Sequence, residues 1–315
     1  MINEQSIMVE LWEECNNFCE FCFIDSFNKK TNDDIKLNNI QLAKDILNKI
    51  NEPKKAFGLI GGEFFQGQLN TSFIKDSFYD LCKLIFDKMN NELIEDFWCC
   101  CTLTIGNQQD LYHLIDLFNK TIKNKEKHKF WILTSYDTKG RYTSKQKFDN
   151  WNNHMLNLQQ YPFIKFNVTS ILSQDFCEKV IKNKLNLNEF RQKYQCKLFF
   201  KQPTQTRCGK KEELNKKISW FFVKRKTFLE FLQKIKKDYT ELFDEILNID
   251  LRADTVYSEI RGIKEIDPHI RNKETWDETD SDYNAKCGHI INYQCYSDSD
   301  ACCLCDYLKI KNNGE

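Results

Sequence analysis

The alternation of short apolar runs with amphipathic helical patterns constrains the fold of this chain more than any other feature of its sequence. The apolar runs predict strands at Ile7–Trp12, Lys55–Ile60, Phe97–Ile105, Phe130–Thr134, Ile164–Ile171 and Lys197–Lys201. The helical patterns between them predict helices at Asn38–Ile50, Phe73–Met89, Asp110–Lys123, Lys145–Gln160 and Gln174–Asn183. Such alternation is typical of a parallel sheet covered by helices. Because six units are too few for a closed eight-unit barrel, we expect an α/β fold, an open partial (β/α)6 TIM-like barrel.

The alternation stops after about residue 205, and this change predicts the domain organisation. Helical patterns return at 224–237 and 239–247, and the first has an apolar face that contains Phe231 and Ile235. Residues 262–286 are charged and poor in apolar side chains, whereas the tail from Cys287 is dense in cysteine. We therefore predict a core barrel at 1–205, a helical extension at 206–261 and a cysteine-rich C-terminal region at 262–315.

Composition narrows the range of partners and compartments. The 46 Lys and Arg residues balance 46 Asp and Glu residues, so no global field attracts nucleic acid or an anionic membrane. No apolar run approaches the length of a membrane span, and the polar Met1–Gln5 lacks the features of a signal peptide. Fifteen cysteines without an export signal suit metal binding in a reducing compartment. These patterns predict a cytoplasmic protein with no membrane partner, and they disfavour a nucleic-acid partner without excluding one.

Cys15, Cys19 and Cys22 follow the first predicted strand with the spacing C-x3-C-x2-C. Three thiolates on one compact loop can bind three corners of an iron–sulfur cube and leave the fourth iron open. A structural zinc site usually needs a second close pair of ligands, and no such pair lies nearby in the sequence. Buried structural cysteines are the simplest alternative to a metal site.

At these residues the chain resembles the radical SAM superfamily. The resemblance is carried by Cys15-x3-Cys19-x-Phe21-Cys22 and by Gly61–Gly62–Glu63, which directly follows the second predicted strand. Glycine lets backbone approach a ligand closely, and a carboxylate pairs with an ammonium group. In the family, this second motif holds the amino group of S-adenosylmethionine (SAM). The resemblance covers about residues 5–205, and its diagnostic part covers about 15–63.

The resemblance implies an enzyme with a [4Fe-4S] cluster and SAM as cofactors. Such an enzyme cleaves SAM reductively to a 5′-deoxyadenosyl radical, which abstracts hydrogen from a substrate that the sequence does not identify. An external one-electron donor such as flavodoxin or ferredoxin is then needed. Two alternatives stay open: a methyl or methylthio transferase on the same scaffold, and a non-catalytic iron–sulfur redox sensor. The Gly-Gly-Glu motif disfavours the sensor, because a sensor does not need to hold an amino acid.

Further cofactor contacts are implied by position within the family. Phe21 is expected near the adenine, Ser135 near the ribose and Arg141 near the carboxylate of SAM. Ordinary packing or a polar turn is the alternative for each of them. Asn167 and Thr169 share a face of the fifth predicted strand. The Gly-rich adenine motif that the family carries on this strand is not evident here.

The remaining cysteines fall into two groups. Cys99, Cys100 and Cys101 are consecutive, so in a strand they point to opposite faces, and we expect them to pack rather than to bind one metal. The tail offers a second metal site at Cys287, Cys295, Cys303 and Cys305. Three interpretations of it stay open: an auxiliary iron–sulfur cluster, a structural zinc site that includes His289, and free cysteines in a small hairpin.

Overall fold

The structure of the 315-residue chain is a computed structural model. It describes residues 6–12, 14–17, 19, 31–201 and 225–239. The strands are β1 (Ile7–Glu10), β2 (Lys54–Ile60), β3 (Ile94–Cys100), β4 (Phe130–Ser135), β5 (Ile164–Ile171) and β6 (Cys196–Lys201). The helices are α1 (Asp33–Asn48), α2 (Ser72–Asn90), α3 (Gln109–Thr121), α4 (Lys145–Asn157), α5 (Gln174–Ile181), α6 (Leu187–Tyr194) and α7 (Arg225–Asp238). A short 3-10 helix, Leu158–Gln160, follows α4.

All six strands are parallel, and their order in the sheet is their order in the chain. Each crossover therefore moves to the next strand in the same direction, and right-handed crossovers then place the connecting helices on one face. Within the described residues β1 and β6 are the two edges, so the sheet is not closed. The predicted α/β class with six parallel strands and an open sheet is confirmed.

The two faces of the sheet differ in burial. On β5, Phe166, Val168 and Ser170 are buried, whereas Asn167 and Thr169 between them are only half-buried. The buried face lies against the helices, where the core is rich in aromatic rings. Phe97 on β3, for example, packs edge-to-face on Phe86 of α2, with 5.4 Å between ring centroids.

We call the opposite face of the sheet the inner face. One row of residues paired across it contains Gly58, Trp98, Trp131 and Lys165. The next row contains Cys100, Leu133, Asn167 and Lys197. Asn167 and Thr169 lie on this face together, as strand alternation predicts.

Local signals explain most of the helix boundaries. The Asn32 side chain accepts a hydrogen bond from the Ile35 nitrogen at 2.8 Å, and Asp33 and Asp34 stand in the first turn of α1. This cap and the favourable charges start α1 five residues before the predicted Asn38. Ser173 caps α5 as predicted, since its hydroxyl accepts from the Phe176 nitrogen at 3.2 Å.

One predicted strand differs in its bounds, and one helix was missed. The strand predicted at Phe97–Ile105 is Ile94–Cys100: the Cys101 nitrogen still donates to the Leu133 oxygen of β4, and the chain then leaves the sheet, with Leu103 at a positive φ of 57°. Helix α6 (Leu187–Tyr194) was not predicted. It has only two turns and few apolar residues, and its start depends on Asn186, whose side chain accepts from the nitrogens of Asn188 and Glu189.

Helix α7 agrees with the predicted helix at 224–237. Phe231 of α7 is fully buried, and its ring lies 6.4 Å from Phe176 of α5 and 6.0 Å from Phe200 of β6. The predicted boundaries at 205 and 261 stay predictions, and the predicted helix 239–247 lies outside the described residues apart from Tyr239. The predicted second metal site, Cys287, Cys295, Cys303 and Cys305, also lies outside them. Among the described helices, none has the length and apolar character to cross a membrane.

Candidate functional site

The loop after β1 and the turn after β2 are joined by hydrogen bonds. The Gly62 nitrogen donates to the Trp12 oxygen at 2.9 Å, and the Glu63 nitrogen donates to the Glu14 oxygen at 2.9 Å. The Trp12 indole Nε1 donates a hydrogen bond of 2.8 Å to the backbone oxygen of Glu63. Because β1 and β2 are neighbouring parallel strands, their carboxyl ends meet here. The segments that contain the cysteines and the Gly-Gly-Glu turn therefore form one structural unit.

Gly61 is required by the close approach of these two segments. A Cβ atom at this position would lie 2.3 Å from the Trp12 oxygen, far inside contact distance. The neighbour is backbone, so a side chain at residue 61 would push the two loops apart. The glycine therefore has a structural role in addition to the predicted contact with a cofactor.

The Glu63 carboxylate is fully buried and accepts three backbone hydrogen bonds. Its Oε1 accepts from the nitrogens of Phe64 at 2.9 Å and Phe65 at 3.0 Å, and its Oε2 accepts from the Thr102 nitrogen at 2.6 Å. Burial raises the pKa of this carboxyl group, and the hydrogen bonds from Thr102, Phe65 and Phe64 oppose that rise. Glu63 thus ties the turn after β2 to the loop after β3. Its direct contact with a cofactor stays a prediction.

Asn17 lies between the two described cysteines of the loop and contacts both sulfur atoms. Its backbone nitrogen lies 3.4 Å from the Cys15 Sγ, and its side-chain Nδ2 lies 3.1 Å from the Cys19 Sγ. Both sulfur atoms accept hydrogen bonds, which suits the thiolate form that binds metals. The described cysteines, including these two, form no disulfide. Cys15 and Cys19 therefore fit the chemistry of an iron–sulfur ligand pair.

Cys22 and Phe21 lie outside the described residues, so the third ligand and the aromatic residue stay predictions. Within the described residues, no group of three or more His, Cys, Asp or Glu side chains could hold a metal ion.

Arg141 lies beside this loop. Its Nε donates to the Asp137 Oδ2 at 2.5 Å, and its Nη1 lies 3.5 Å from the Cys19 Sγ. The other Asp137 oxygen accepts from the Ile171 nitrogen at 2.7 Å, which positions Asp137 at the end of β5. Burial raises the pKa of Asp137, although the Arg141 charge opposes the rise. Burial disfavours the Arg141 cation, but the Cys19 sulfur and the Asp137 carboxylate outweigh it and raise the pKa of Arg141.

Ser135 ends β4 on the inner face and pairs in register with Thr169 of β5. Its carbonyl oxygen accepts from the Tyr142 hydroxyl at 3.1 Å. The structure thus places Ser135 and Arg141, two predicted cofactor contacts, at or just after the same strand end. Their roles toward SAM stay predictions.

Two polar atoms on the inner face are buried without a hydrogen-bond partner in the described part of the chain. They are the Nε1 of Trp98, a donor, and the Oδ1 of Asn167, an acceptor. Trp131, beside Trp98 on the next strand, differs because its Nε1 donates to the Asp96 Oδ2 at 2.9 Å. Burying a polar atom unpaired is unfavourable, so each of these two atoms needs a partner from beyond the described residues.

Sequence reasoning missed four polar residues around the cysteine loop: Asn16, Asn17, Gln66 and Thr104. The Gln66 Nε2 donates to the hydroxyls of Thr102 at 2.8 Å and Thr104 at 2.9 Å. The Thr104 hydroxyl donates to the Asn17 Oδ1 at 2.9 Å. The two threonines lie in the stretch that was predicted as strand. The position of Asn17 between two motif cysteines was the one sequence signal available.

Sequence reasoning also missed Lys36, a buried lysine of α1 with an exposed fraction of 1%. Its Nζ lies 3.0 Å from the Glu14 Oε2 and donates to the Gln68 oxygen at 2.9 Å. The same cation lies 5.4 Å from the centre of the Trp12 ring. Lys36 therefore joins α1 to both loops, and the charge pair with Glu14 compensates its burial.

Cys99 and Cys101 are buried, and burial raises the pKa of both thiols well above the ordinary value. Cys100 is half-buried and lies on the inner face. The prediction that Cys99 and Cys101 pack in the core is confirmed.

The fold and the site together define an α/β protein in which a cysteine loop and a Gly-Gly-Glu turn meet at the carboxyl edge of an open parallel sheet. No protein-family model matches the chain, and no curated protein matches it in sequence. Among solved structures, the chain is similar to the crystal structure of HydG, a maturase of the [FeFe]-hydrogenase, with a TM-score of 0.46 and 13% identity. The match covers 73% of this chain but only 49% of that one, so this chain spans about half the length of HydG. A likeness this weak assigns neither a family nor an activity.

Proposed function

We propose that this protein is a radical SAM enzyme that holds a [4Fe-4S] cluster through Cys15, Cys19 and Cys22. The observation that carries the proposal is the bond of 2.9 Å from the Gly62 nitrogen to the Trp12 oxygen, which joins the cysteine loop to the Gly-Gly-Glu turn. An enzyme that binds SAM at an open iron needs these two segments side by side. A redox sensor does not need the second segment.

The two described cysteines of the loop, Cys15 and Cys19, suit an iron–sulfur cluster. The sulfur atoms of Cys15 and Cys19 both accept N–H groups, as cluster ligands do. When bound, the cluster supplies one electron, and SAM supplies the 5′-deoxyadenosyl radical that abstracts hydrogen from a substrate. An external donor such as flavodoxin or ferredoxin provides the electron, in a cytoplasmic setting.

The chain's own residues bind and orient SAM in this proposal. Gly61 and Gly62 present backbone without side chains to the methionine end, where Glu63 supports the turn. Arg141 provides the cation for the carboxylate of SAM, and Ser135 provides a hydroxyl for the ribose. Phe21 is assigned to the adenine in this proposal.

The inner face receives the substrate in this proposal. Trp98 offers an N–H donor and Asn167 offers a carbonyl acceptor, and neither atom has a partner among the described residues. A substrate that carries an acceptor for the Trp98 N–H and a donor for the Asn167 carbonyl would pair with both atoms. Cys287, Cys295, Cys303 and Cys305 are proposed to hold an auxiliary iron–sulfur cluster or a zinc ion.

Iron analysis tests the cluster. Iron and sulfide per chain are measured after anaerobic reconstitution, in the unmodified chain and in a variant with Cys15, Cys19 and Cys22 changed to alanine. The variant should lose about four irons. Iron that persists in it indicates a second cluster, and complete loss leaves the tail as a zinc site or free thiols. A matched control with Cys82, Cys177 and Cys196 changed to alanine should keep its iron.

Product analysis separates the activities. The reduced, reconstituted protein is mixed with SAM, and the products are separated by chromatography. 5′-Deoxyadenosine supports the proposal. S-adenosylhomocysteine in its place points to methyl transfer, and the absence of both products points to a sensor.

A further inference from the structure

A chain of hydrogen bonds runs through buried side chains to the sulfur of Cys19. The Asn16 nitrogen donates to the Gln66 Oε1 at 3.1 Å, and the Gln66 Nε2 donates to the Thr104 Oγ1 at 2.9 Å. The Thr104 hydroxyl donates to the Asn17 Oδ1 at 2.9 Å, and the Asn17 Nδ2 donates to the Cys19 Sγ at 3.1 Å. We call these four bonds the Asn17 relay.

The first bond of the relay determines the orientation of the Gln66 amide. A backbone N–H can only donate, so the Gln66 atom that faces the Asn16 nitrogen must be the carbonyl oxygen. The amide nitrogen of Gln66 then faces Thr104, whose oxygen accepts and whose proton is directed to Asn17. The Thr104 hydroxyl also lies 3.2 Å from the Thr102 hydroxyl, and either of these two oxygens can be the donor. With the Thr104 proton on the Asn17 Oδ1, the Asn17 amide directs its N–H to the sulfur of Cys19.

The three side chains of the relay are buried, whereas Asn16, whose backbone nitrogen starts it, is exposed. The exposed fractions are 0% for Asn17, 1% for Thr104 and 8% for Gln66. The Asn17 backbone is also held, because the Lys147 Nζ donates to its oxygen at 2.7 Å. Bonds in a buried chain polarise one another, so a change at Thr104 is expected to reach Cys19.

We propose that Asn17 is a positioning residue that sets the reduction potential of the iron–sulfur cluster through the sulfur of Cys19. This inference rests on the proposed function. An N–H donor stabilises the negative charge that a cluster gains on reduction, so it raises the potential. Arg141 adds a second donor to the same sulfur at 3.5 Å.

The relay also connects the cluster loop to the Gly-Gly-Glu turn. Gln66 follows Glu63 by three residues, and its Nε2 donates to the Thr102 hydroxyl at 2.8 Å. Thr102 in turn donates its backbone N–H to Glu63 at 2.6 Å. The segment assigned to SAM and the donor on Cys19 thus share one hydrogen-bond network.

The test compares Thr104→Val with Thr104→Ser in the full reconstituted chain. Valine has the shape of threonine without the hydroxyl, whereas serine keeps the hydroxyl. The midpoint potential is measured by redox titration, with the electron paramagnetic resonance signal of the reduced cluster as readout. At a fixed applied potential, Thr104→Val should lower the ratio of reduced to oxidised cluster about tenfold, or about 59 mV for a one-electron couple. Thr104→Ser should stay close to the unmodified chain.

Asn17→Asp should change the midpoint potential more than Thr104→Val does. It replaces the N–H on the sulfur by a carboxylate oxygen of the same shape, so its potential should lie below that of Thr104→Val. Equal potentials in the unmodified chain, Thr104→Val and Thr104→Ser overturn the inference and leave the proposed function standing. An unmodified chain that takes up no iron overturns the proposed function and this inference with it.

If Thr104→Val assembles no cluster, the test uses Gln66→Glu, a change that lies farther from the sulfur. Gln66→Glu keeps the acceptor for the Asn16 nitrogen and replaces the donor that faces Thr104 by a second acceptor. The Thr104 proton then turns away from Asn17. Gln68→Glu adds the same charge two residues away without entering the relay. A potential at pH 8 below that of Gln68→Glu supports the inference, and equal potentials for the two variants overturn it.

Discussion

The Oε2 atom of Glu63 lies 2.6 Å from the backbone nitrogen of Thr102. This bond explains why β3 ends at Cys100 and not at Ile105, since the chain leaves the sheet to place its Thr102 N–H on a buried carboxylate. It also brings Thr102 and Thr104 beside Gln66, where the Asn17 relay begins.

Glu63→Gln should destabilise the fold. The glutamine has one acceptor oxygen and one NH2 group, so at least one of the three backbone donors loses its partner. An unpartnered buried donor costs about 1–3 kcal/mol. Urea denaturation measures the loss, and the exposed Glu126→Gln is the matched control. Equal midpoints for the two variants contradict the structural role of Glu63.

The same carboxyl group should make stability depend on pH. Burial raises its pKa above the ordinary 4.5, so between 4.5 and the raised value the folded state binds more protons than the unfolded state. Stability from this group is complete below 4.5 and is lost as pH rises through the pKa of the folded state. Burial raises the pKa of Asp96 and Asp137 too. The free energy of unfolding is therefore measured against pH for the unmodified chain and for Glu63→Gln, and the difference between the two curves isolates Glu63. A difference that does not vary with pH contradicts the prediction.

Gly61→Ala should destabilise the chain by about 1–3 kcal/mol, because the new methyl group meets the Trp12 backbone oxygen. Gly58→Ala is a graded comparison: its Cβ meets the end of the flexible Met8 side chain, with the Sδ at 2.3 Å, so the loss should be smaller. Gly106→Ala meets nothing closer than 3.6 Å and should be nearly neutral. Thermal unfolding measures the order of stability of the three variants. A Gly61→Ala variant as stable as Gly106→Ala contradicts the close approach of the two loops.

Arg141→Lys should weaken SAM binding about tenfold, or about 1.4 kcal/mol. The guanidinium reaches Asp137 with one nitrogen and the cysteine loop with another, and a lysine ammonium cannot reproduce this planar fork. Equilibrium dialysis with cluster-loaded protein measures the dissociation constant. Arg191→Lys on α6 is the control and should leave it unchanged. Equal dissociation constants for both variants remove Arg141 from the SAM site.

Trp131→Phe should lose about 1 kcal/mol more stability than Trp98→Phe. Both changes replace an indole by a phenyl ring in the same row of the inner face, but only Trp131 donates to a carboxylate, that of Asp96. The Trp98 nitrogen has no described partner, so its removal relieves an unpaired buried donor. Chemical denaturation measures the stability lost in each of the two variants. Equal losses indicate that Trp98 has a partner in the folded chain.

Most of the fold follows from local patterns. The apolar periods predict all six strands, and Ser173 is recognisable as a cap because a hydroxyl before a helical pattern satisfies the first free N–H groups. The missed helix α6 has its apolar residues Leu187, Phe190 and Tyr194 at helical spacing, but two turns are too short for three residues to mark a period. It packs Phe190 and Tyr194 against Trp151. The end of β3 was not predictable because it depends on Glu63, which is 39 residues distant from Thr102.

The amino-acid sequence alone determined the strand–helix order and the positions of Cys15, Cys19 and Gly61–Glu63 after their strands, since periodicity and spacing are properties of neighbouring residues. The tertiary structure alone decided that Asn17, Gln66 and Thr104 act together. In the sequence Asn17 and Gln66 read as ordinary polar loop residues, and Thr104 falls within a predicted strand. The meeting of three strand ends buries these side chains and brings their donors and acceptors within hydrogen-bond distance.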